Sequence, residues 1–307
     1  MIDTFQVSRT QARAPVPEKL DNWQPLRDNK TGEPYALCFN SPKGEHKPRL
    51  TITKNPNEFW IIRAEVSPGS WLFNSNLHLV NEAELDRGLH LLSEYVEEKT
   101  GVPFDAHSAR VTRVDFTRDF DVGENNVIPF IAQVSILDLQ KYKKICFDNT
   151  SVYFRNAGKE LTKQYKIYSK YHERLANSKD IDEQERAKGI VRLEVSFRKS
   201  GVNRLAESLG LQSHCAEHVL TKDVSDKVIE RAMKVLEFEK ILKGQISDYN
   251  TLFQTKGFNE GSKLLSFLFL KAKLGNDYEK FALFGITKRT CQRYWKLCKE
   301  LGVLSLE

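Results

Sequence analysis

The sequence predicts an α+β fold: an antiparallel sheet with helices packed on one face, followed by an α-helical C-terminal region. Short segments rich in β-branched and aromatic residues, bounded by turn formers, recur through the first two-thirds of the 307-residue chain. One long stretch between them, and one shorter, carry apolar residues at helical spacing. Beyond about residue 202 the helical spacing runs to the end of the chain.

Residues 1–30 are polar and proline-bearing and read as an N-terminal arm. Strands are expected at YALCFN (35–40), RLTITKN (49–55) and FWIIRAEVS (59–67). NEAELDRGLHLLSEYVEEKTG reads as a helix, with Leu85, Leu89, Leu92 and Val96 on one stripe and Gly101 at its end. SARVTRVDFTRDF (108–120) alternates: Arg113, Asp115, Thr117 and Asp119 face one way, Val114, Phe116 and Phe120 the other. A helix near 126–137 has Pro129 in its first turn. Short strands follow at YKKICF, SVYFRN and KQYKIYSK, then a polar helix-forming stretch, YHERLANSKDIDEQERAKG. GIVRLEVSFRKSG (189–201) is a strand with Val191, Leu193, Val195 and Phe197 on one face and Arg192, Glu194 and Ser196 on the other.

The rest reads as helices: NRLAESLGL, KDVSDKVIERAMKVLEFEKILKG, NEGSKLLSFLFLKAKLG and ITKRTCQRYWKLCKELGVL. In the last, Thr287 is the expected N-cap, Cys291, Cys298 and Leu301 lie on an apolar stripe with Tyr294 or Trp295, and Gly302 closes the helix. Its other face is basic: Lys288, Arg289, Arg293, Lys296 and Lys299. It reads equally well as the recognition helix of a helix-turn-helix or as a solvated helix packed on the rest of the protein. The organisation expected is an arm over 1–30, a mixed α and β domain over 31–205 and a helical region over 206–307.

Composition narrows the function classes. No run of about 18 apolar residues exists, so no membrane span is expected. The opening MIDTFQVSRTQARAPVPEKL lacks the apolar core of a signal peptide, which points to an intracellular protein. Five cysteines, an odd number with no CxxC pair, support neither a disulfide framework nor a zinc knuckle. Lysine plus arginine number 47 against 41 acids, a net charge of +6 that permits a polyanionic partner without requiring one.

Two strands repeat one signature: Arg113-Val-Asp115 and Arg192-Leu-Glu194. A base and an acid two apart share a strand face. Acids opposed on neighbouring strands repel unless arginines or a divalent cation such as Mg²⁺ lie between them. From spacing alone, cross-strand arginine pairing is the favoured reading, and Glu65 adds a third acid at the end of another strand. If KQYKIYSK is a strand, Tyr168 shares a face with Lys166 and Lys170, while Tyr165 points to the core. A neighbouring ammonium favours the phenoxide that a nucleophilic tyrosine needs. Two lysines solvated on a surface strand explain the same pattern.

The ordered set TRVDFTRDF, SVYFRNAGKELTKQYKIYSK and GIVRLEVSFRKSGVNRLAESLGL resembles the replication initiation proteins of filamentous phages, the gene-two/gene-ten type. The opening MID, IIRAEVSPGSWL and ITKRTCQRYWKLCKELGV extend the resemblance over most of the chain. It implies a metal-dependent rolling-circle initiator, divergent within the HUH-like Rep endonucleases. Such a protein nicks one strand of a circular origin through a 5′-phosphotyrosyl intermediate and later rejoins it. Tyr168 matches the nucleophile and Lys170 the lysine that follows it. Asp115 and Glu194 match the family acids, with Glu65 as the third ligand of Mg²⁺ or Mn²⁺ and Asp119 an in-line alternative. The chain departs from classical relatives in having no His-hydrophobic-His strand. Arg113, Arg192, Lys166, Lys288, Arg289 and Arg293 are the expected DNA contacts. Trp60 and Trp71 are aromatics able to stack on splayed bases. The implied partners are origin DNA and a host helicase and polymerase, in the cytoplasm of a bacterial host. The competing readings are a non-catalytic DNA-binding regulator and a plasmid relaxase.

Overall fold

A computed structural model of the chain describes residues 1–16, 23–41, 45–55, 57–137, 139–147, 150–242 and 277–301, with 256, 260, 263, 264, 266–268, 270, 271, 274 and 275 between the last two ranges. The chain divides into two compact units, residues 1–117 with 195–229 and residues 118–194 with 230–307.

The first unit contains strands β1 (Ile2–Gln11), β2 (Gln24–Arg27), β3 (Pro34–Phe39), β4 (Arg49–Lys54) and β5 (Trp60–Val66), and most of β6 (Arg110–Asp121). They follow the order β2-β3-β4-β5-β1-β6, each neighbouring pair antiparallel. Helices α1 (Pro68–Phe73) and α2 (Glu82–Thr100) accompany them. In α2 the predicted stripe is buried, and its start is fixed by a capping box between Asn81 and Glu84. Its end is fixed by Gly101 at φ 68°, a left-handed conformation that favours glycine.

The expected irregular arm is corrected at its outset: residues 2–11 form β1, between β5 and β6. Phe5 and Val7 are buried, while Ile2 keeps its burial only through a register shift between Ile2 and Thr4. That irregularity breaks the strict two-residue alternation by which a half-buried strand is recognised in a sequence. Strand β2 also lies inside the segment read as an arm, and its exposed residues give it no alternation to read.

The second unit contains the end of β6, α3 (Val127–Ile136), β7 (Tyr142–Phe147), β8 (Ser151–Asn156), β9 (Lys163–Ser169), α4 (Lys170–Asn177), α5 (Ile181–Arg186) and the first half of β10 (Ile190–Arg198). Its strands run in the order β7-β8-β9-β10. Ile131, Val134, Phe154, Tyr165, Ile167, Val191 and Leu193 form its core, each at most 2% exposed. Burial at that level contributes roughly 1.5–3 kcal/mol for each large apolar side chain.

The expected sheet with helices and helical C-terminal region is present, and the boundary between the two compact units cuts β6 and β10. Helices α6 (Ser200–Leu209) and α7 (Ala216–Val219) and most of α8 (Lys222–Val235) group with the first unit. The end of α8 belongs to the second unit with α9 (Phe238–Leu242), α10 (Tyr278–Ala282) and α11 (Lys288–Glu300). Contacts between residues distant in sequence set this division, and no composition shift marks it. The long helix expected from residue 222 is split at Glu237, whose φ is 50°. The helix expected over 259–275 lies partly, and Gly302 wholly, outside the described residues.

Candidate active site

Strand β9 alternates as a half-buried strand should: Tyr165 and Ile167 are buried, Lys166 and Tyr168 half-buried. Beside it on β8, Tyr153 is in register with Lys166 and Ser151 with Tyr168. The strand stops at Ser169, one residue earlier than expected, because the Ser169 side chain accepts the His172 backbone N–H and caps α4. Lys170 therefore opens a helix instead of sharing the strand face of Tyr168.

Tyr168 donates its hydroxyl hydrogen to Oε1 of Glu194, and Lys166 Nζ lies 2.8 Å from Oε2 of the same carboxylate. The Glu194 side chain is 6% exposed, so the two partners meet its charge where water does not. Lys170 is fully buried, with Nζ 2.9 Å from Glu173 and 5.9 Å from the centroid of the Tyr168 ring. Burial, and then the charge of Arg192, pull the Lys170 ammonium below the ordinary lysine range, against the opposing pull of Glu173. Burial pushes the Glu173 carboxyl up, but the Arg174 hydrogen bond and the Lys170 charge together outweigh it and hold it at about 2.

These groups border a cavity of about 300 Å³ lined by Tyr153, Lys166, Tyr168, His172, Glu173 and Glu194, among others. His172 escaped sequence reading. It stands on the helix while Tyr168 stands on the strand, so no single period links them, and its Nδ1 lies 2.8 Å from Ser169 Oγ. Tyr165 is buried and does not line the cavity, and burial also drives its hydroxyl above the ordinary tyrosine range.

The other acids are compensated within their own units. In the first unit Arg113 bridges Asp115 and Glu65: Nη2 is 2.5 Å from Asp115 Oδ2 and Nη1 is 2.5 Å from Glu65 Oε1. Gln6 of β1, in register with both Glu65 and Arg113, donates to Glu65 Oε2 at 3.2 Å. In the second unit Arg192 makes two bonds to Asp119, at 2.6 and 2.8 Å. Arg192, expected as a DNA contact, is fully buried. Its guanidinium pairs across strands with Asp119 of β6, the kind of pairing that the spacing favoured. Arg113 is mostly covered and likewise engaged.

Lys288, Arg289 and Arg293 are exposed on α11, while Cys291 and Cys298 are buried against Phe267 and Phe281. Thr287 accepts the Thr290 backbone N–H at 3.2 Å, as an N-cap does. Trp71 packs against Tyr95 with ring centroids 6.3 Å apart, and Trp60 is half-buried at the start of β5.

Strand β9 thus presents a tyrosine whose hydroxyl rests on a carboxylate, with lysines beside it. The family model for the N-terminal region of the phage replication-associated protein of the gene-two type matches residues 17–220. The chain belongs to that family of replication-associated proteins. Among solved structures it is similar to a rolling circle replication initiator protein from Geobacillus stearothermophilus, at 14% identity and a TM-score of 0.36, over 76% of this chain and 83% of that one. No curated protein matches the chain.

Proposed function

We propose that this protein initiates rolling-circle DNA replication by nicking one strand of a circular origin with Tyr168. The hydrogen bond from Tyr168 to Glu194 carries the reading: the proton that must leave the nucleophile already points at a potential base. Tyr168 Oη attacks the phosphorus, and its proton passes to Glu194. The bond from phosphorus to the 3′ oxygen breaks, and that oxygen takes up a proton to leave a 3′-OH primer. The 5′ phosphate stays on Tyr168. The reverse transfer rejoins the strand without ATP, because the phosphotyrosyl link keeps the energy of the bond. Lys166 offsets the negative charge gathered at Glu194 and the phosphate. Lys170 is a positioning residue that ties the start of α4 to Glu173.

The resemblance assigns Asp115, Glu194 and Glu65 to Mg²⁺ or Mn²⁺. As arranged, these carboxylates do not fit a bound dication. Arg113 holds Asp115 and Glu65, Lys166 holds Glu194, and a metal would reach these oxygens only by displacing both. The steps above are accordingly written with the chain's own residues. On α11, Lys288, Arg289 and Arg293 form an exposed basic surface suited to duplex phosphates. Such an initiator works in the bacterial cytoplasm and hands its 3′-OH to a host polymerase and helicase. Among the described residues no helix is long and apolar enough to cross a membrane.

The test is incubation of supercoiled DNA carrying the cognate origin with wild type and with Tyr168→Phe, in Mg²⁺, Mn²⁺ or EDTA. Nicked circles and an SDS-resistant protein–DNA adduct are expected from wild type and absent from Tyr168→Phe. An adduct from Tyr168→Phe would overturn the choice of tyrosine. Tight binding that leaves the DNA closed under every condition would make the protein a DNA-binding regulator. The EDTA arm reads metal dependence separately.

A further inference from the structure

We propose that Asp86, His90 and His107 form a binding site for a first-row transition-metal dication, with Zn²⁺ the best fitted. All three belong to the first unit, apart from the Arg113-bridged carboxylates. Asp86 and His90 are four residues apart on α2, so both project from one face of that helix. His107 comes from the loop between α2 and β6. Its Nε2 lies 3.0 Å from Asp86 Oδ1, and His90 Nε2 lies 3.8 Å from Asp86 Oδ2. The two imidazole rings stand 4.5 Å apart between centroids, and one ligand atom from each of the three residues falls within 4.8 Å of the others.

Tetrahedral Zn²⁺ with ligands at 2.0–2.2 Å sets its ligand atoms about 3.3 Å apart. The 3.0 and 3.8 Å separations run to the two different oxygens of Asp86, and with one ligand atom per residue all within 4.8 Å, side-chain rotations would bring the three to that spacing. Two imidazole nitrogens and one carboxylate oxygen suit Zn²⁺ or Co²⁺ and suit Mg²⁺ and Ca²⁺ poorly. The Asp86 and His90 side chains are 63% and 69% exposed, which gives an ion an entry path and leaves a coordination position for water.

A second observation lies behind the ligands. Asp105 Oδ1 is 3.9 Å from Nδ1 of His107, on the side of the ring away from Asp86, and accepts the His107 backbone N–H at 3.1 Å. At 3.9 Å this carboxylate is beyond hydrogen-bond reach of the far nitrogen, and a shift of about 1 Å would let it fix the ring and tautomer of a metal-binding imidazole. Asp105 is itself held by Ser108 and faces Arg9 at 3.7 Å. A bound ion would staple this loop to α2 just ahead of β6, the strand that carries Arg113 and Asp115. The role is structural and independent of the chemistry at Tyr168.

The experiment uses the full chain stripped with EDTA and titrated with Zn²⁺, Co²⁺ and Mg²⁺. Calorimetry gives stoichiometry, the visible spectrum of Co²⁺ gives the donor set, and thermal melting gives the gain in stability. One Zn²⁺ or Co²⁺ per chain is expected, with a higher melting temperature, a nitrogen and oxygen spectrum and no response to Mg²⁺. His90→Ala and His107→Ala each remove that binding, and Asp105→Asn weakens it ~10-fold. Absence of binding to wild type overturns the proposal. So does binding that survives both histidine variants, or a thiolate spectrum from the cysteines. Origin nicking by His90→Ala is expected to match wild type in metal-replete buffer, so either outcome leaves the Tyr168 reading separately testable.

Discussion

The hydroxyl of Tyr168 rests on one oxygen of Glu194 while the ammonium of Lys166 holds the other at 2.8 Å. Glu194 thus joins the tyrosine hydroxyl to the ammonium. Replacing it by glutamine keeps the size and removes the base. Glu194→Gln is expected to slow nicking ~10²–10⁴-fold at neutral pH and to recover partly as the pH rises toward the tyrosine range. Single-turnover cleavage of an origin oligonucleotide against pH measures this. A rate equal to wild type would remove Glu194 from proton transfer.

Arg113 lies between Asp115, whose side chain is 1% exposed, and Glu65. Taking away one partner of a buried pair leaves the other charge uncompensated, at a cost of roughly 3–5 kcal/mol. Arg113→Met is expected to destabilise the protein by that order in urea unfolding. The double variant Arg113→Met with Asp115→Asn should regain much of it, because no buried charge remains. Simple additivity of the two single variants would show that the pair is not coupled.

Glu173 gives the acid limb of stability. Its carboxyl is held at about 2 against an ordinary 4.5, so it contributes stability that is fully present above 4.5. That contribution is lost as the pH falls from 4.5 toward 2. Its side chain is 23% exposed, and the displacement corresponds to roughly 3 kcal/mol. Glu173→Gln is expected to lower stability at pH 7 by that order, with the gap to wild type closing across this window. A gap that stays constant down to pH 2 would assign the loss to packing alone.

The α11 surface predicts a salt effect. Arg289→Ala and Arg293→Ala should weaken binding to origin duplex and each reduce the slope of log affinity against log salt by about 1 if its guanidinium meets a phosphate. Melting temperature should be unchanged, since both side chains are exposed. Unchanged affinity and slope would make α11 a packing helix.

Much of this protein was legible in its sequence. Composition between turn formers located β3, β4 and β5, alternation located β6, β9 and β10, and the stripe of Leu85, Leu89, Leu92 and Val96 located α2, because period follows from backbone geometry. The orientation of Tyr168 beside Lys166 and away from Tyr165 followed from the same alternation. Tertiary structure decided the partners. Within β10, Arg192 and Glu194 share a face by period, yet the register of neighbouring strands sent Arg192 to Asp119 and left Glu194 to Tyr168 and Lys166. The burial of Lys170 depended on where β9 ended and α4 began, which one serine cap fixed. The central strand β1 was hidden by its own irregularity, and the meeting of His107 with Asp86 and His90 by the loop that returns to α2. Local periodicity is written into a chain residue by residue, whereas an ion pair depends on which strands and loops the fold brings side by side.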